Sequence, residues 1–226
     1  MKYATLFLAL GLSMGYAATT GGGLRWLLVW PATSFAGVGI AYAGVGAGLF
    51  GKQPDGSLRL VSVAVLLPYL LLAWFVWHIA RVLKREEPFD SLIPGVFIGR
   101  RLLAHEYPEE IRSVVDLTCE FAEPLQVRAC RPYRAFPILD ASTPSTESLL
   151  DVVRHIAESG QGVFIHCAEG HGRTGLVAAA LLLSLGHADT PERAMAMVQQ
   201  RRPQALLNTV QQRAVESYAR AMNARR

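Results

Sequence analysis

Residues 60–80 read LVSVAVLLPYLLLAWFVWHIA, with no acid, lysine or arginine among them. At 1.5 Å per residue, a helix of this length spans the hydrocarbon core of a bilayer. Uncharged runs of this length are uncommon in the cores of water-soluble proteins, so a membrane span is the expected reading. Arg81, Lys84 and Arg85 follow at once, as a stop signal on the cytoplasmic side does. Pro68 leaves one backbone carbonyl without its helical donor. Lipid tolerates this when a neighbouring helix supplies a replacement.

A second apolar run, residues 26–50, is also long enough to span. Gly37, Ala41, Gly44 and Gly48 recur at four-residue intervals, a spacing that lets two helix backbones approach closely. The connector, residues 51–57, is short and turn-like, so the two runs are expected to form a hairpin. That hairpin is expected to bring Trp26, Trp30, Trp74 and Trp77 to one membrane interface. The first run, residues 3–18, fits either a short additional span or a cleaved signal. A span is preferred because a multi-span region follows. Residues 1–85 are thus a transmembrane region of two or three helices.

Charge supports the division. Residues 1–85 carry seven basic residues and one acid, Asp55; residues 86–226 carry fifteen arginines, no lysine and seventeen acids. The basic balance therefore flanks apolar runs and is not spread over a folded domain, which argues against a nucleic-acid partner. With three spans and the C-terminal domain inside, Arg25, Arg81, Lys84 and Arg85 face inward, against Lys2, Lys52 and Arg59 outside. An integral membrane protein with a cytoplasmic catalytic domain is expected. Three cysteines without C-x-x-C spacing offer neither a disulfide framework nor a metal site, so no metal or other cofactor is expected.

From Glu86 the pattern becomes that of an α/β domain, residues 86–226. Residues 96–98, 113–117, 134–138 and 162–166 read as buried strands. Residues 146–158, 174–185, 191–200 and 208–222 read as helices. Ser145 or Thr146 can cap the first of these helices. Thr190 followed by Pro191 is a cap with proline at the first helical position. Strands alternating with helices predict a mostly parallel central sheet flanked by helices on both faces.

The chemical signal is residues 162–175, GVFIHCAEGHGRTG, followed by the apolar LVAAALLL. A buried strand ends at Cys167, a glycine-rich loop follows, and a helix opens near Arg173. Backbone N–H groups in such a loop form an anion nest, and the helix start adds its positive end. Ala168, Glu169, Gly170, His171, Gly172, Arg173 and Thr174 are the expected phosphate-binding residues. Gly170, Gly172 and Gly175 permit left-handed or closely packed backbone. Arg173 offers a planar fork for two phosphate oxygens. The same field favours the thiolate of Cys167, placed for in-line attack on phosphorus. His166 is expected to fix the loop's shape, and Thr174 to donate its hydroxyl to the sulfur. The leaving group needs a proton. Asp140, in the segment FPILDASTP just past a predicted strand, is the preferred general acid; its alternative role is a cap for the helix that follows. Asp116 and Asp151 are weaker rivals, one in a strand and one on a helix face.

These residues resemble the cysteine-dependent protein tyrosine phosphatase superfamily, whose signature is His-Cys-x5-Arg-Ser/Thr, and within it the dual-specificity phosphatases. The resemblance covers about residues 88–222. Residues 93–99 (IPGVFIG) are similar to that family's opening strand, 114–118 (VVDLT) to its second strand and 136–140 (FPILD) to its general-acid loop. It implies metal-free hydrolysis of phosphomonoesters through a cysteinyl-phosphate. It also implies a water-placing role for Asn208 or Gln211 and a reversible disulfide partner in Cys119; the alternative for Cys119 is a small buried residue. Cys130 has no assigned role. Lipid-directed members carry lysines where Ala168, Glu169 and His171 stand here, and Glu169 disfavours highly phosphorylated inositol rings.

The leading expectation is a membrane-anchored protein tyrosine or dual-specificity phosphatase. A phospholipid phosphatase acting on a phosphatidylglycerophosphate-like substrate is the runner-up. A catalytically silent phosphate-binding module is opposed by the joint presence of Cys167, Arg173 and Asp140. A rhodanese-type sulfur carrier is opposed by the Arg-Thr-Gly exit from the loop. The oligomeric state is not encoded in any recognisable pattern.

Overall fold

The structure, a computed structural model, describes residues 2–20 and 23–224. The chain divides into two compact units. The first gathers the N-terminal helices together with Cys119–Ala122; the second holds the α/β domain together with Pro54–Gly56.

In the first unit, α1 (Lys2–Thr20), α2 (Val29–Ile40) and α3 (Leu60–Leu83) pack in sequence order. Two stretches, Gly23–Val45 and Leu60–Leu83, are helices long and apolar enough to cross a membrane; α1 is not among them. The second apolar run is not one continuous helix. It opens as a 3-10 turn (Gly23–Leu28), continues through α2, widens to a π turn (Ala41–Val45) and ends in a second 3-10 turn (Ala47–Phe50). Gly44 and Gly46 cause the break, with φ of +147° and +85°, outside the helical range. The four-residue ladder of small residues therefore does not line one helix face. Gly11 and Gly39 make the close approach instead. A Cβ on Gly11 would lie 2.8 Å from the Ala32 carbonyl oxygen, and one on Gly39 would lie 2.7 Å from Leu8.

Pro68 lies inside α3 and cannot donate to the Ala64 carbonyl one turn earlier. Trp30 Nε1 donates to that oxygen at 2.8 Å, and Ser34 Oγ, fully buried, accepts from Tyr69 N–H at 3.2 Å. The interhelical bond thus replaces the one the proline removes. The four tryptophans do not share one environment. Trp26 is exposed, whereas Trp77 is buried against Phe121 and Trp74 Nε1 donates to the Glu120 carbonyl. The indole N–H groups of Trp30 and Trp74 are thus paired with backbone carbonyls.

In the second unit, five strands form one sheet in the order β1-β2-β5-β3-β4. They are β1 (Phe89–Ile93), β2 (Val96–Arg100), β3 (Ser113–Thr118), β4 (Tyr133–Ile138) and β5 (Val163–Cys167). Only β1 runs antiparallel, to β2. The mostly parallel α/β sheet expected from the sequence is present. β1 was not expected, because its residues FDSLI carry two polar positions in five. Central β5 is buried at every position, as a parallel strand covered on both faces must be.

One face is covered by α5 (Thr146–Glu158), α6 (Gly172–Ser184), α7 (Pro191–Arg201) and α8 (Thr209–Asn223), whose apolar residues join one core cluster. The other face is closed by an aromatic cluster of Phe89, Phe97, Tyr107, Tyr133 and Phe164, joined by Val127 from the short helix α4 (Leu125–Cys130). The two faces are therefore covered by different means: long helices on one, rings and one short helix on the other. α6 is buried continuously from Arg173 to Leu183, which explains why its sequence is apolar all round.

Replacing Trp30 by Phe keeps the ring but orphans the Ala64 carbonyl. The expected loss is about 1 kcal/mol, read as a lowered unfolding midpoint of the full chain in detergent. An unchanged midpoint would show that another donor serves that carbonyl.

Candidate active site

The parallel strands deliver their C-terminal ends to one edge of the sheet, where ligands bind in open α/β folds. β5 ends there with Cys167, 3% exposed. Six residues later, in the first turn of α6, stands Arg173, 1% exposed. The loop between them is pressed against β2. Gly170 has φ of +72°, and a Cβ there would lie 2.2 Å from the Gly99 carbonyl carbon. Gly99 is equally confined, 2.4 Å from the Pro88 carbonyl oxygen by the same measure. Gly172 packs on the amide of Gln211, and Gly175 on Leu207.

Arg173 reaches across to the loop after β4. Its Nη1 donates to the Ile138 carbonyl at 3.0 Å, and its Nη2 lies 3.3 Å from Asp140 Oδ1. Asp140 itself is 69% exposed in its side chain, on the solvent side of a buried guanidinium. The next residue, Ala141, holds φ of +53°, a left-handed backbone that costs an alanine about 1–2 kcal/mol. Asn208 Nδ2 donates to the Ala141 carbonyl at 3.0 Å and holds this turn. Asn208 also caps α8, receiving Val210 N–H and Gln211 N–H on Oδ1, while Gln211 Oε1 accepts the Asn208 N–H. The start of α8 therefore touches the Asp140 loop through Asn208 and the phosphate-loop glycine through Gln211.

Beneath the loop lies Arg202, a residue the sequence did not single out. It is 1% exposed and donates from Nε to the Gly170 carbonyl at 2.9 Å, and from Nη2 to the Glu169 carbonyl at 3.3 Å. Nη1 donates to the Glu87 carbonyl and to Asp90 Oδ2 at 2.7 Å. Two loop carbonyls thus point down at a guanidinium. Glu86 is a second unforeseen partner, 2.7 Å from His171 Nε2 and 3.7 Å from Arg202 Nη2. Glu169 Oε2 lies 3.8 Å from His171 Nδ1, so His171 stands between two carboxylates. No spacing rule identifies Arg202 or Glu86, because their partners are remote in sequence.

The remaining candidates fall into place around this frame. His166 is fully buried, stacks on Phe164 at 5.3 Å and turns Nδ1 toward the Cys167 carbonyl at 3.4 Å. Thr174 is buried, but its hydroxyl makes no hydrogen bond among the described residues, so the expected donation to the sulfur is not formed here. Asp116 is buried, with Oδ1 taking Thr118 N–H and Oγ1–H and Oδ2 taking Tyr133 Oη–H. Asp151 pairs with Arg154 on the exposed face of α5. Cys119 and Cys167 are buried and not joined in a disulfide; Cys119 Sγ lies 3.3 Å from Glu120 Oε2. Cys130 is free and exposed.

Asp116, Glu123 and His166 bring ligand-type atoms within 4.8 Å of one another. Their surroundings suit a hydrogen-bonded network better than a cation: Glu123 accepts from Tyr107 at 2.8 Å and faces the Arg101 guanidinium at 3.6 Å. Burial first, and then the neighbouring carboxylates, hold the Tyr107 and Tyr133 hydroxyls protonated far above the usual tyrosine range.

Arg202→Met would leave Asp90 and two loop carbonyls without their donor. A loss of about 3–5 kcal/mol is expected in chemical unfolding. Gly170→Ala meets both the φ penalty and the clash with Gly99, and at least about 2 kcal/mol is expected there. If both variants unfold like wild type, the loop does not depend on these contacts.

Residues 101–187 match a family described as a DSP-PTPase phosphatase of polymorphic toxin systems. No curated protein sequence matches the chain significantly. Among solved structures, the active form of Tk-PTP is 26% identical, with a TM-score of 0.55 over 59% of this chain and 97% of its own. PTPMT1 in complex with PI(5)P shares the fold at 18% identity and a TM-score of 0.55, over 62% of this chain and 99% of its own. Human DUSP28 does so at 17% identity and a TM-score of 0.51, over 61% and 96%. A Cys at the end of the central strand, an Arg in the first turn of the next helix and these likenesses agree: the chain carries a cysteine-dependent phosphatase domain of the dual-specificity and protein tyrosine phosphatase type.

Proposed function

We propose that this protein is a membrane-anchored phosphomonoester hydrolase that acts on phosphotyrosine, and on phosphoserine or phosphothreonine, through a cysteinyl-phosphate. The observation that carries the reading is the 3.3 Å contact between buried Arg173 and exposed Asp140, at the strand edge where β5 ends in Cys167. One site then holds a nucleophile, an oxyanion grip and a proton donor.

The Cys167 thiolate attacks phosphorus while Arg173 and the loop amides bind the equatorial oxygens. The bond from phosphorus to the leaving oxygen breaks, and protonated Asp140 gives that oxygen its proton. Asp140, now a carboxylate, takes a proton from water. The resulting hydroxide attacks phosphorus, the P–S bond breaks, and the thiolate and inorganic phosphate are released. Phosphate that enters the loop takes over Arg173 Nη2 and frees Asp140 to face the leaving group. Glu169 at the mouth adds negative charge and opposes substrates carrying several phosphates.

Membrane anchoring rests on α3, which turns Leu60, Val61, Phe75 and Val82 outward, each more than 60% exposed. Contiguous apolar surface of this kind is not left to water. The same helix supports the second reading, a phosphatase for a singly phosphorylated phospholipid such as phosphatidylglycerophosphate. The catalytic domain is then cytoplasmic, on the side of Arg81, Lys84 and Arg85.

The test is phosphate release by the full chain in detergent micelles, from a phosphotyrosine peptide and from phosphatidylglycerophosphate. Faster turnover of the peptide supports the first reading, and faster turnover of the lipid the second. No release from either overturns both. Cys167→Ser is expected to abolish turnover while retaining phosphate binding. Asp140→Asn is expected to slow alkyl phosphates by about 100- to 10,000-fold and nitrophenyl phosphate far less. Equal slowing of both substrates would remove Asp140 from the role of acid.

A further inference from the structure

A second hollow lies at the other end of the parallel strands. β3, β4 and β5 begin there, and β5 then runs four residue steps, about 13 Å, to Cys167. The hollow measures about 330 Å³. Val115 and Pro132 contribute apolar surface to it, and Arg112, Arg134 and His155 stand around it with Ser113. No acid lines it.

The basic groups come from three separate elements: Arg112 precedes β3, Arg134 lies on β4 and His155 on the last turn of α5. Arg134 lies over the Phe136 ring at 5.4 Å, and that ring stands 5.7 Å from the imidazole of His155. The Ser113 hydroxyl is buried and makes no hydrogen bond among the described residues, so one donor in this wall is unused. Like charges gathered round one hollow repel one another, and their mutual cost falls when an anion enters.

We propose that this hollow is a second oxyanion site, which takes the phosphate group of a small phosphomonoester independently of the Cys167 loop. Two guanidiniums can each offer a paired donor set to tetrahedral oxygens. The apolar part of the lining accepts the group esterified to the phosphate, and the volume suits a ligand of that size. His155 reports occupancy. Burial first, and then Arg134, hold its proton affinity below the usual histidine range, while Glu158 on the same helix opposes them. A bound dianion reverses the balance, so His155 gains a proton as the ligand binds.

Inorganic phosphate titrated into the full chain in neutral detergent tests the proposal. Calorimetry is expected to find two classes of site in wild type. In Arg112→Ala/Arg134→Ala, whose substitutions are at exposed positions away from the catalytic loop, one class remains and the other weakens at least about tenfold, with turnover unchanged. The Hε1 resonance of His155 is expected to shift on phosphate addition, and its titration midpoint to rise. Vesicles of phosphatidylcholine with and without phosphatidic acid form the second arm. A His155 shift with phosphatidic acid alone assigns the site to a lipid headgroup, and a shift with free phosphate assigns it to a soluble ligand. One class of site in wild type, phosphate binding unchanged in the double variant, or a His155 resonance unmoved by both ligands overturns the proposal.

Discussion

The buried guanidinium of Arg202 carries the catalytic loop from below. A loop that turns its N–H groups toward an anion must turn carbonyls the other way, and buried carbonyls need donors. Arg202 answers the carbonyls of Glu169 and Gly170 and is held in turn by Asp90 and the Glu87 carbonyl. With its underside satisfied, the loop can lie flat on β2, where the Gly170–Gly99 contact leaves no room for a side chain. Arg173 then has one direction in which to extend, toward Ile138 and Asp140. The proposed nucleophile and phosphate grip take their positions from that stack of contacts.

The loop of the proposed acid, Asp140, is held by a different element. Asp140 follows a strand that ends too early to hold it, and Ala141 adopts a backbone conformation alanine does not favour. The start of α8 pays for this through Asn208, which caps its own helix and binds the Ala141 carbonyl with the same amide. Helix capping and acid placement are therefore one structural event. Glu86 adds a third support, since it holds the loop residue His171 from a point three residues beyond the end of α3.

The first unit solves its own backbone problem by similar means. Pro68 removes a donor from α3, and the Trp30 indole on the neighbouring element supplies one. In both units a backbone group freed by local geometry is paired by a side chain distant in sequence, which is what a low-dielectric surrounding demands.

Much of this protein was legible in its amino-acid order. The run from residue 60 to 80, the β-branched strands, the Thr190-Pro191 cap and the His-Cys-x5-Arg-Thr loop are local patterns, and local patterns survive without knowledge of the fold. The sequence also placed Asp140 just past a strand, next to the proline-bounded turn. It could not reveal Arg202, Glu86 or the pairing of Trp30 with Ala64, because each contact joins residues at least 32 positions apart. It suggested a ladder of small residues in the second apolar run, whereas Gly44 leaves the helical range and packing places Gly11 and Gly39 at the close crossing. Local order thus picked out the proposed catalytic groups. The tertiary structure decided what holds them, because satisfying buried polar atoms is a matter of space and not of spacing along the chain.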